Sequence, residues 1–530
     1  MEPKTTINNG EAVLGIEFGS TRIKAVLADA KGATLAVGTH DWENRLENGL
    51  WTYSMEDIIG GLQGCYASLK KQVKEKYGIT LHRLAGAGIS AMMHGYLAFD
   101  KEGALLTPFR TWRNACTGPA AEKLSEVLDF HMPLRWTAAH LYQAVLNGEE
   151  HIWKLDHVTT LEGFVHRKLT GRKVLGVGEG AGVFPLNKEG TDYDMERMAK
   201  YEALFEPYKL PWKAKDLFPP MLPAGEQAGS LTAEGAKLLD PEGDLEPGAP
   251  FCPPEGDAGT GMVATNSVAP GTGNVSAGTS VFAMIVLEKP LSRVYPELDI
   301  VATPTGKPVA MVHCNNCTSD LNAWVGLFGE FAEMMGMKLD PNTLYGSLYR
   351  KALEGDKDCA GMLAYNFFSG EHNVGLDEGR PLFVRTPEAK MNLANFVRTH
   401  LCASLAVLKT GMDLLLQHEQ VEIHKILGHG GLFKTPKVGQ SLLAAALNAP
   451  VTVMETAGEG GAWGIALLAA YMVYGKGKTL EAYLDEDIFT DMPSVTMEPD
   501  PADVAGYEQF MTRYTAGLDI ERKAVETMKE

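Results

Sequence analysis

The hydrophobic pattern at the start of the chain predicts a β-hairpin, a third strand and a helix. An apolar run over 12–16 enters a polar turn at Gly19, Ser20 and Thr21, and a second apolar run leaves it over 23–27. A third short strand is expected over 33–37. The next segment has helical spacing, and Ser54 with Asp57 forms a capping signature before its apolar positions, which are Ile58, Leu62, Tyr66, Leu69 and Val73.

The same hairpin pattern returns in the second half of the chain. Residues 274–277 enter a turn of Gly278, Thr279 and Ser280, and an apolar strand leaves it over 281–287. Gly278 follows Gly19 by close to half of the 530 residues. We therefore predict two α/β halves with related hairpins, an N-terminal domain over 1–267 and a C-terminal domain over 268–530.

The remaining pattern fills in both halves. Strands are predicted over 84–90, 96–99, 309–313, 423–427 and 451–454, and residues 107–240 are interpreted as largely helical and irregular. One helix is predicted over 320–335. A second is predicted to begin after an N-cap at Thr435, with Pro436 at the first helical position, and a third is predicted to begin within the glycine-rich segment 458–464. The clearest helical periodicity lies in Val397, Leu401, Leu405, Leu408, Met412 and Leu415.

Composition excludes several classes of function. The formal charge of −19 argues against general affinity for nucleic acid or anionic membranes. The most apolar stretch after the polar N-terminus, 465–473, is shorter than the roughly 20 residues that a membrane span needs. Seven scattered cysteines do not suggest a disulfide framework, so we expect a soluble cytoplasmic protein.

Several positions are candidates for chemistry. The turn at Gly19–Thr21, with Lys24 nearby, could cradle a phosphate through backbone N–H groups and hydroxyls. Asp257 follows Gly256 at the end of a short predicted strand and has small residues behind it, which suits a cleft, but an aspartate there could equally cap a helix. His94 and Trp112 could each be a core residue.

Three other motifs offer alternative sites. Cys314 and Cys317, beside His313, have metal-ligand spacing but lack a second matching pair. Residues 477–479 read Gly-Lys-Thr without the first glycine of a phosphate-binding loop. Residues 458–464 follow a strand as a dinucleotide motif would, but with different glycine spacing and no later acidic strand end, so helix packing is the preferred use of these glycines.

Five segments in order resemble the FGGY family of carbohydrate kinases. In chain order they are the first phosphate motif at 15–25, the catalytic segment at 256–261, the second phosphate motif at 276–284, the adenosine motif at 428–436 and the segment after it at 458–470. The resemblance implies the α/β two-domain ATPase fold of actin and hexokinase, with duplicated ribonuclease H-like domains and an inter-domain cleft. It also implies ATP and Mg²⁺ as cofactors and a small sugar as substrate, and it leaves a homodimer open.

The resemblance also implies roles for individual residues. Asp257 would be the base that accepts the sugar proton, and Glu17 would hold Mg²⁺ directly or through water. Met93, His94, Gly95 and Trp112 would line the sugar pocket together with Asp257, since the Met-Met-His-Gly segment is similar to that of xylulokinases. The groups implied to bind ATP and its phosphates are Gly19, Ser20, Thr21, Lys24, Gly278, Thr279, Ser280, Gly430 and Gly431.

Three departures from the family pattern bear on the choice of sugar, and two of them, Glu17 and Asn114, keep a second hypothesis open. Position 17 is Glu where Asp is usual, Asn114 stands in place of an acid with Cys116 in place of an arginine, and Pro253-Pro254-Glu255 replaces small residues. The first hypothesis is a ketose kinase for xylulose, or for another ketose or polyol such as ribulose. The second is a nucleotide-binding regulator of the same fold that no longer phosphorylates a sugar.

Overall fold

The computed structural model describes residues 2–454, 460–490 and 492–529. The chain forms two compact units. Unit 1 contains Met1–Ala269, Asp299–Val309 and Ala457–Met492, and unit 2 contains Pro270–Leu298, Ala310–Thr456 and Pro493–Glu530. The units are therefore not contiguous in sequence, whereas the predicted domains divide the chain once, after residue 267.

Unit 1 is built on a five-stranded mixed sheet. The predicted hairpin is confirmed as the antiparallel strands Val13–Phe18 and Arg22–Ala28, and the third strand extends further than predicted, over Thr34–Asp41. On the other side of the first strand, Gly86–Ala91 pairs with it in parallel, and the two-residue strand Glu255–Gly256 pairs in parallel with Gly86–Ala91. Gly256 lies opposite Ala91, so the two parallel strands end level with each other and the segments that follow them, Met92–Gly95 and Asp257, leave the same edge of the sheet.

Two long helices pack on this sheet through glycines. Met55–Tyr77 begins where predicted, because the Ser54 side chain accepts the Asp57 N–H. A Cβ on Gly38 of the third strand would lie 2.3 Å from the Cys65 carbonyl oxygen of this helix. Helix Gly460–Tyr474 approaches the first strand as closely, since a Cβ on Gly15 would lie 2.1 Å from the Ala462 carbonyl oxygen. Glycine at 15 and 38 permits these helix–sheet contacts.

The rest of unit 1 is helical and irregular, as predicted for 107–240. Its short strands outside the sheet are Arg45–Glu47, Leu50–Thr52, Leu97–Phe99, His157–Thr159, Leu175–Gly176, Met221–Leu222 and Asp299–Ala302. Its other helices are Pro3–Asn8, Gly118–Leu128, Thr137–Leu146, Leu161–Thr170, Val177–Gly180, Met195–Ala203, Ala214–Leu217, Ala233–Leu239, Asp257–Ala264 and Leu480–Tyr483.

Unit 2 contains a second mixed sheet with the second predicted hairpin at its centre. The hairpin strands Thr272–Ala277 and Val281–Val286 are antiparallel, and Lys425–His429 pairs in parallel with the first of them. Six strands lie in the order Pro308–Cys314, Val281–Val286, Thr272–Ala277, Lys425–His429, Val451–Met454 and Ser494–Met497. The two units thus repeat one hairpin-centred arrangement, as the sequence predicts.

The helices of unit 2 include the one with the clearest periodicity, Leu393–Asp413. The stretch Leu393–His418 is long and apolar enough to cross a membrane by length and composition, but 78% of its most apolar window is buried inside the structure. The remaining helices of unit 2 are Ser319–Met334, Pro341–Ala352, Val438–Leu447, Pro501–Ala516 and Leu518–Thr527, and two more strands, Met362–Tyr365 and Leu382–Arg385, form a separate pair.

Two sequence predictions in unit 2 were wrong in detail. The helix predicted to begin at Thr435-Pro436 begins at Val438, because Lys437 adopts a left-handed conformation with φ of +72° and interrupts the chain before the helix. The strand Ser494–Met497 was missed, since its residues are mostly exposed and carry little apolar signal. The prediction that a helix opens over 458–464 falls partly outside the described residues, and the described helix begins at Gly460.

Candidate active site

In unit 1, the predicted sugar-binding turn contacts the predicted base. Asp257 is the first residue of helix Asp257–Ala264, whose N-cap is Gly256, so Asp257 does not occupy the cap position that the alternative reading gave it. Its Oδ1 accepts the Met93 backbone N–H at 3.1 Å. Burial raises the pKa of Asp257 above its ordinary value, although backbone N–H groups, the Met93 group first, oppose the shift. Asp257 is therefore a stronger base than an exposed aspartate.

His94 lies in the same turn in an unusual backbone conformation. Its φ is +73° and that of Gly95 is +110°, and a Cβ on Gly95 would lie 2.8 Å from the Arg110 carbonyl oxygen. The His94 ring is buried and stacks on the ring of Trp136, with 6.1 Å between centroids. Burial and the nearby Arg135 guanidinium lower the pKa of His94 to about 3, so the imidazole is neutral at physiological pH.

The aromatic ring that stacks on His94 is that of Trp136. Trp112, the predicted wall, is 37% exposed, and within the described part of the chain no hydrogen bond or ring contact joins it to Met93, His94 or Asp257. Sequence reasoning singled out Trp112 because a family motif surrounds it, whereas Trp136 stands in the mixed 107–240 region without a recognisable motif.

Glu17 stands on the first hairpin strand and contacts a helix N-terminus. Its Oε2 accepts the Ala462 backbone N–H at 3.1 Å, and Lys24 lies opposite it on the neighbouring strand. Burial raises the pKa of Glu17 to about 7, and the Asp257 carboxylate adds to the rise, while the Ala462 N–H and Lys24 oppose it. At neutral pH the Glu17 carboxyl group is thus close to half protonated.

The turn at Gly19, Ser20 and Thr21 is anchored through its carbonyl groups. The Trp42 indole N–H donates to the Gly19 oxygen at 2.7 Å, the Tyr53 hydroxyl donates to the Ser20 oxygen at 2.6 Å, and the Trp42 backbone N–H donates to the Thr21 oxygen at 3.1 Å. Three donors thus fix the carbonyl side of a short polar turn. A turn held in this way is preorganised to bind a ligand through its other groups.

The corresponding turn in unit 2 is fixed by a similar arrangement. The Thr318 hydroxyl donates to the Gly278 carbonyl at 2.7 Å, and the Cys317 N–H donates to the Thr279 carbonyl at 2.9 Å. Gly278, in turn, donates its N–H to the Ser280 carbonyl at 2.9 Å. The Cys314 and Cys317 pair weighed as a metal site is buried, and no group of three or more His, Cys, Asp or Glu side chains among the described residues is arranged to hold a metal ion.

Unit 2 also brings the two predicted nucleotide motifs together. Strands Thr272–Ala277 and Lys425–His429 are parallel neighbours, so Gly430 follows its strand beside the turn that begins at Gly278. Gly430 has a φ of +100°, and a Cβ there would lie 2.5 Å from the Ala277 carbonyl oxygen. Gly431 begins a short 3-10 helix over Gly431–Phe433. Only glycine fits the backbone at position 430 without displacing its neighbour.

Asn114, one of the departures from the family pattern, has a structural role. Its Oδ1 accepts the Trp51 backbone N–H at 2.9 Å, and its Nδ2 donates to the Trp51 carbonyl at 2.8 Å. An aspartate could accept the first bond but could not donate the second. Asn114 therefore fixes the strand that contains Trp51, which is a local reason for an amide at this position.

A cluster of buried glutamates behind the turn was missed by sequence reasoning. Glu179 Oε1 accepts the His94 backbone N–H at 3.0 Å, and the Glu255 carboxylate accepts the backbone N–H groups of Gly178 at 3.2 Å and Glu179 at 2.9 Å. Burial raises the pKa of Glu255 to about 8. The signal available in the sequence was Glu255 itself, a charged residue among prolines and glycines at a predicted strand end, but Glu179 lies 76 positions away in the chain.

Two hairpin-centred α/β units with preorganised turns and a buried aspartate define a sugar kinase fold of the actin and hexokinase type. The chain belongs to the FGGY family of carbohydrate kinases. Its residues 12–243 match the N-terminal domain of that family, and residues 273–473 match the C-terminal domain.

Individual relatives are distant. Xylulose kinase of Klebsiella pneumoniae is 22% identical over 297 residues, which are 53% of this chain and 55% of that protein. Gluconokinase of Bacillus subtilis is 22% identical over 294 residues, 52% of each chain. The match thus spans about half the length of these curated relatives. The structure of ligand-bound xylulose kinase from Lactobacillus acidophilus superposes with a TM-score of 0.77 at 16% identity, over 97% of this chain and 99% of that one.

Proposed function

We propose that this chain is an ATP-dependent carbohydrate kinase that transfers the γ-phosphoryl group of ATP to a hydroxyl group of a ketose such as xylulose. The observation that carries the proposal is the hydrogen bond from the Met93 N–H to Asp257 Oδ1, at 3.1 Å. It joins a buried carboxylate with a raised pKa to the turn of His94 and Gly95. Family membership supplies the reaction class, and this contact supplies a base next to a binding turn.

In the proposed reaction, the sugar hydroxyl oxygen attacks the γ-phosphorus while the bond from that phosphorus to the β–γ bridging oxygen breaks, and ADP leaves. Asp257 orients the hydroxyl and accepts its proton late in a loose transition state. A positioned general base of this kind is worth about 10²- to 10⁴-fold in rate. The raised pKa of Asp257 brings its basicity closer to the working pH.

The phosphate and adenosine groups of ATP would be held by backbone-rich turns. Residues 19–21 and 278–280 each offer a short turn whose carbonyl groups are already engaged. Because the Gly19 and Gly278 N–H groups also donate within the protein, the hydroxyl groups and the other backbone amides of the turns are the proposed donors to phosphate oxygens. Lys24 would add positive charge. Gly430 and Gly431 would let adenosine lie against the backbone, since neither residue has a side chain there.

The donors around Glu17 fit a hard divalent cation. The Asp257 carboxylate disfavours ionisation of Glu17, and a cation near Glu17 would relieve this repulsion. Glu17 would hold Mg²⁺ directly or through water, with the remaining ligands coming from ATP and solvent. When bound, Mg²⁺ neutralises charge that develops on the phosphate oxygens.

The substrate is proposed from the turn and from the names of relatives. A neutral His94 can accept or donate one hydrogen bond to a sugar hydroxyl, and Trp136 would support the ring of His94. One relative is a xylulose kinase and another a gluconokinase, so xylulose is the first candidate, and another ketose or polyol such as ribulose, or gluconate, is the alternative.

A regulator that binds nucleotide without turnover is favoured by one observation. Glu17, whose pKa is raised to about 7, already bonds to the Ala462 N–H, so part of its capacity to hold a cation is used inside the protein. Such a protein would bind ATP and leave every polyol unphosphorylated.

One assay separates these functions. Purified protein with Mg²⁺ and ATP is tested for ADP release with xylulose, ribulose, glycerol and gluconate, and ATP binding is measured separately by calorimetry. Stimulation of ADP release by xylulose above the other compounds supports the proposal. Stimulation by a different compound reassigns the substrate, and ATP binding without stimulation by any compound overturns the kinase proposal in favour of the regulator.

A further inference from the structure

Glu162 and Glu179 form a contact that two ionised carboxylates cannot make. Both side chains are fully buried, and their carboxyl groups lie within hydrogen-bonding reach of each other. Glu162 Oε1 accepts the Thr160 hydroxyl and Glu179 Oε1 accepts the His94 backbone N–H. The Oε2 atom of each carboxyl group is then available for the contact between them. Neither Oε2 has another partner among the residues that the structure describes. Because an ionised carboxylate only accepts hydrogen bonds, one of the two groups must carry a proton.

The backbone around the pair leaves room for these carboxyl groups. A Cβ on Gly256 would lie 2.3 Å from Glu179 Oε2, so only glycine at 256 allows Glu179 to reach past the start of the catalytic helix. Glu179 thus contacts the backbone on both sides of the site, at His94 and at Gly256, the residue before Asp257. The ionisable groups that face the pair are Glu255, Asp257, His94 and Tyr193.

We propose that Glu162 and Glu179 share one proton in a buried acid–carboxylate hydrogen bond, and that Glu179, held in this way, is a positioning residue for the reaction through the backbone of His94 and Gly256. The pair then carries a single negative charge. The pKa directions agree with this, since burial raises the pKa of Glu162 to about 8 and raises that of Glu179 well above its ordinary value, with Glu162 adding to the rise. The positioning half of the inference rests on the proposed kinase function, whereas the shared proton does not.

The shared proton is tested by infrared spectroscopy of the full-length protein at pH 7. The carboxylic acid C=O band is compared in the wild type, E162Q, E179Q, the double variant and E521Q. In either single variant the amide can donate to the remaining carboxylate, so the pair's acid band disappears. We expect the double variant to lose no more acid band than either single variant, because only one proton is present. If the double variant loses twice as much acid-band intensity as a single variant, or if the single variants lose none, the shared-proton proposal is wrong.

E521Q is the matched control for this spectrum. Glu521 is also fully buried with an unpartnered Oε2 within the described residues, but it belongs to unit 2 and its Oε1 accepts the Arg380 N–H. Any band that E521Q removes is assigned to Glu521. The pair's band must therefore remain in E521Q.

The positioning role is tested by steady-state kinetics with the compound that gives turnover. E179L removes the bond to His94 and the contact with Glu162, and we expect a 10- to 100-fold fall in kcat/KM for the sugar, with the KM for ATP changed less than threefold. E179Q, which keeps an acceptor for the His94 N–H and a donor for Glu162, should recover most of this loss. Equal losses for sugar and ATP, or no recovery in E179Q, would make Glu179 merely structural.

The pH profile separates positioning from packing. Loss of the shared proton at high pH should lower the wild-type kcat/KM for the sugar above about pH 8, the value to which the pKa of Glu162 is raised. In E162Q the donor is an amide that does not titrate, so the part of the alkaline fall that the pair causes should be absent. Any part caused by Glu255, whose pKa is also raised to about 8, is common to both proteins, so the difference between the two profiles is the quantity compared. An unchanged alkaline fall in E162Q would contradict the proposal. If no compound is turned over, the kinase function fails, and the infrared comparison still supports or overturns the shared proton by itself.

Discussion

The backbone N–H of Met93 donates to the Oδ1 of Asp257 at 3.1 Å, across two parallel strands that end at the same edge of the unit 1 sheet. These residues are 164 positions apart in the chain. The contact ties the orientation of the proposed base to the turn that includes His94 and Gly95. A substitution at either end should therefore change the KM for the sugar more than the KM for ATP.

Replacement of Asp257 by Asn should remove the base and keep the contact. An amide oxygen can still accept the Met93 N–H, so the fold of the turn is retained, but the amide cannot accept the hydroxyl proton. We expect turnover to fall by about 10²- to 10⁴-fold, with little change in ATP affinity or melting temperature. D244N, at an aspartate that pairs with Lys70 in the same unit, is the control and should keep near-normal turnover. Near-normal turnover in D257N would exclude Asp257 from the mechanism.

Glu17 should make the apparent affinity for Mg²⁺ depend on pH near neutrality. Its pKa is raised to about 7, and only the ionised form binds a cation well, so affinity should fall as pH drops through this value and level off above it. A tenfold rise in Mg²⁺ should move the midpoint to lower pH. His94 contributes nothing here, because its pKa is lowered to about 3.

The control for this dependence is E17Q. ATP itself changes protonation and Mg²⁺ binding in the same pH range, and this part is common to both proteins, so the difference between wild type and E17Q is the quantity compared. E17Q should bind Mg²⁺ more weakly and lack the additional pH dependence. If the two profiles coincide, Glu17 is not a ligand.

Gly278 and Gly430 should respond differently to alanine. A Cβ at Gly278 would meet no atom within 4 Å in the described part of the chain, whereas Gly430 has a φ of +100° and a Cβ there would lie 2.5 Å from the Ala277 oxygen. We expect G278A to keep its melting temperature and to raise the KM for ATP at least tenfold, because the added methyl group would obstruct phosphate. G430A should be destabilised directly. An unchanged KM for ATP in G278A would remove this turn from the phosphate site.

The hairpins could be predicted from sequence because local patterns determine them. Apolar runs on both sides of a Gly-Ser-Thr turn specify two antiparallel strands without reference to distant residues, and the Ser54 cap fixes a helix start in the same local way. The order of five motifs then specified the family fold. Helix Val438–Leu447 was misplaced because a left-handed Lys437 is not a conformation that sequence favours.

Contacts within the site were harder to predict because they join distant segments. Trp136 stacks on His94, and Glu179 reaches His94 from 85 positions away. Neither follows from periodicity, since each depends on how the mixed 107–240 region folds over the sheet. Asn114 was also beyond sequence analysis, since a departure from the family motif showed only a changed residue, whereas the structure gives it a local role in its bonds to Trp51.

Alanine at Gly461 should lower the free energy of unfolding, whereas alanine at Gly60 should raise it. A Cβ at Gly461 would lie 2.4 Å from Glu17 Oε1 and 2.7 Å from the Thr260 hydroxyl, so G461A forces the carboxylate or the helix to move. Overpacking of this kind costs about 1–3 kcal/mol.

Gly60 lies in helix Met55–Tyr77, and its Cβ would meet nothing within 4 Å among the described residues, so G60A should stabilise the protein by about 0.5–1 kcal/mol. Urea unfolding of both variants measures these opposite signs, and the Mg²⁺ dependence of G461A should weaken as Glu17 is displaced. Equal stability of the two variants would contradict the close contact between Gly461 and Glu17.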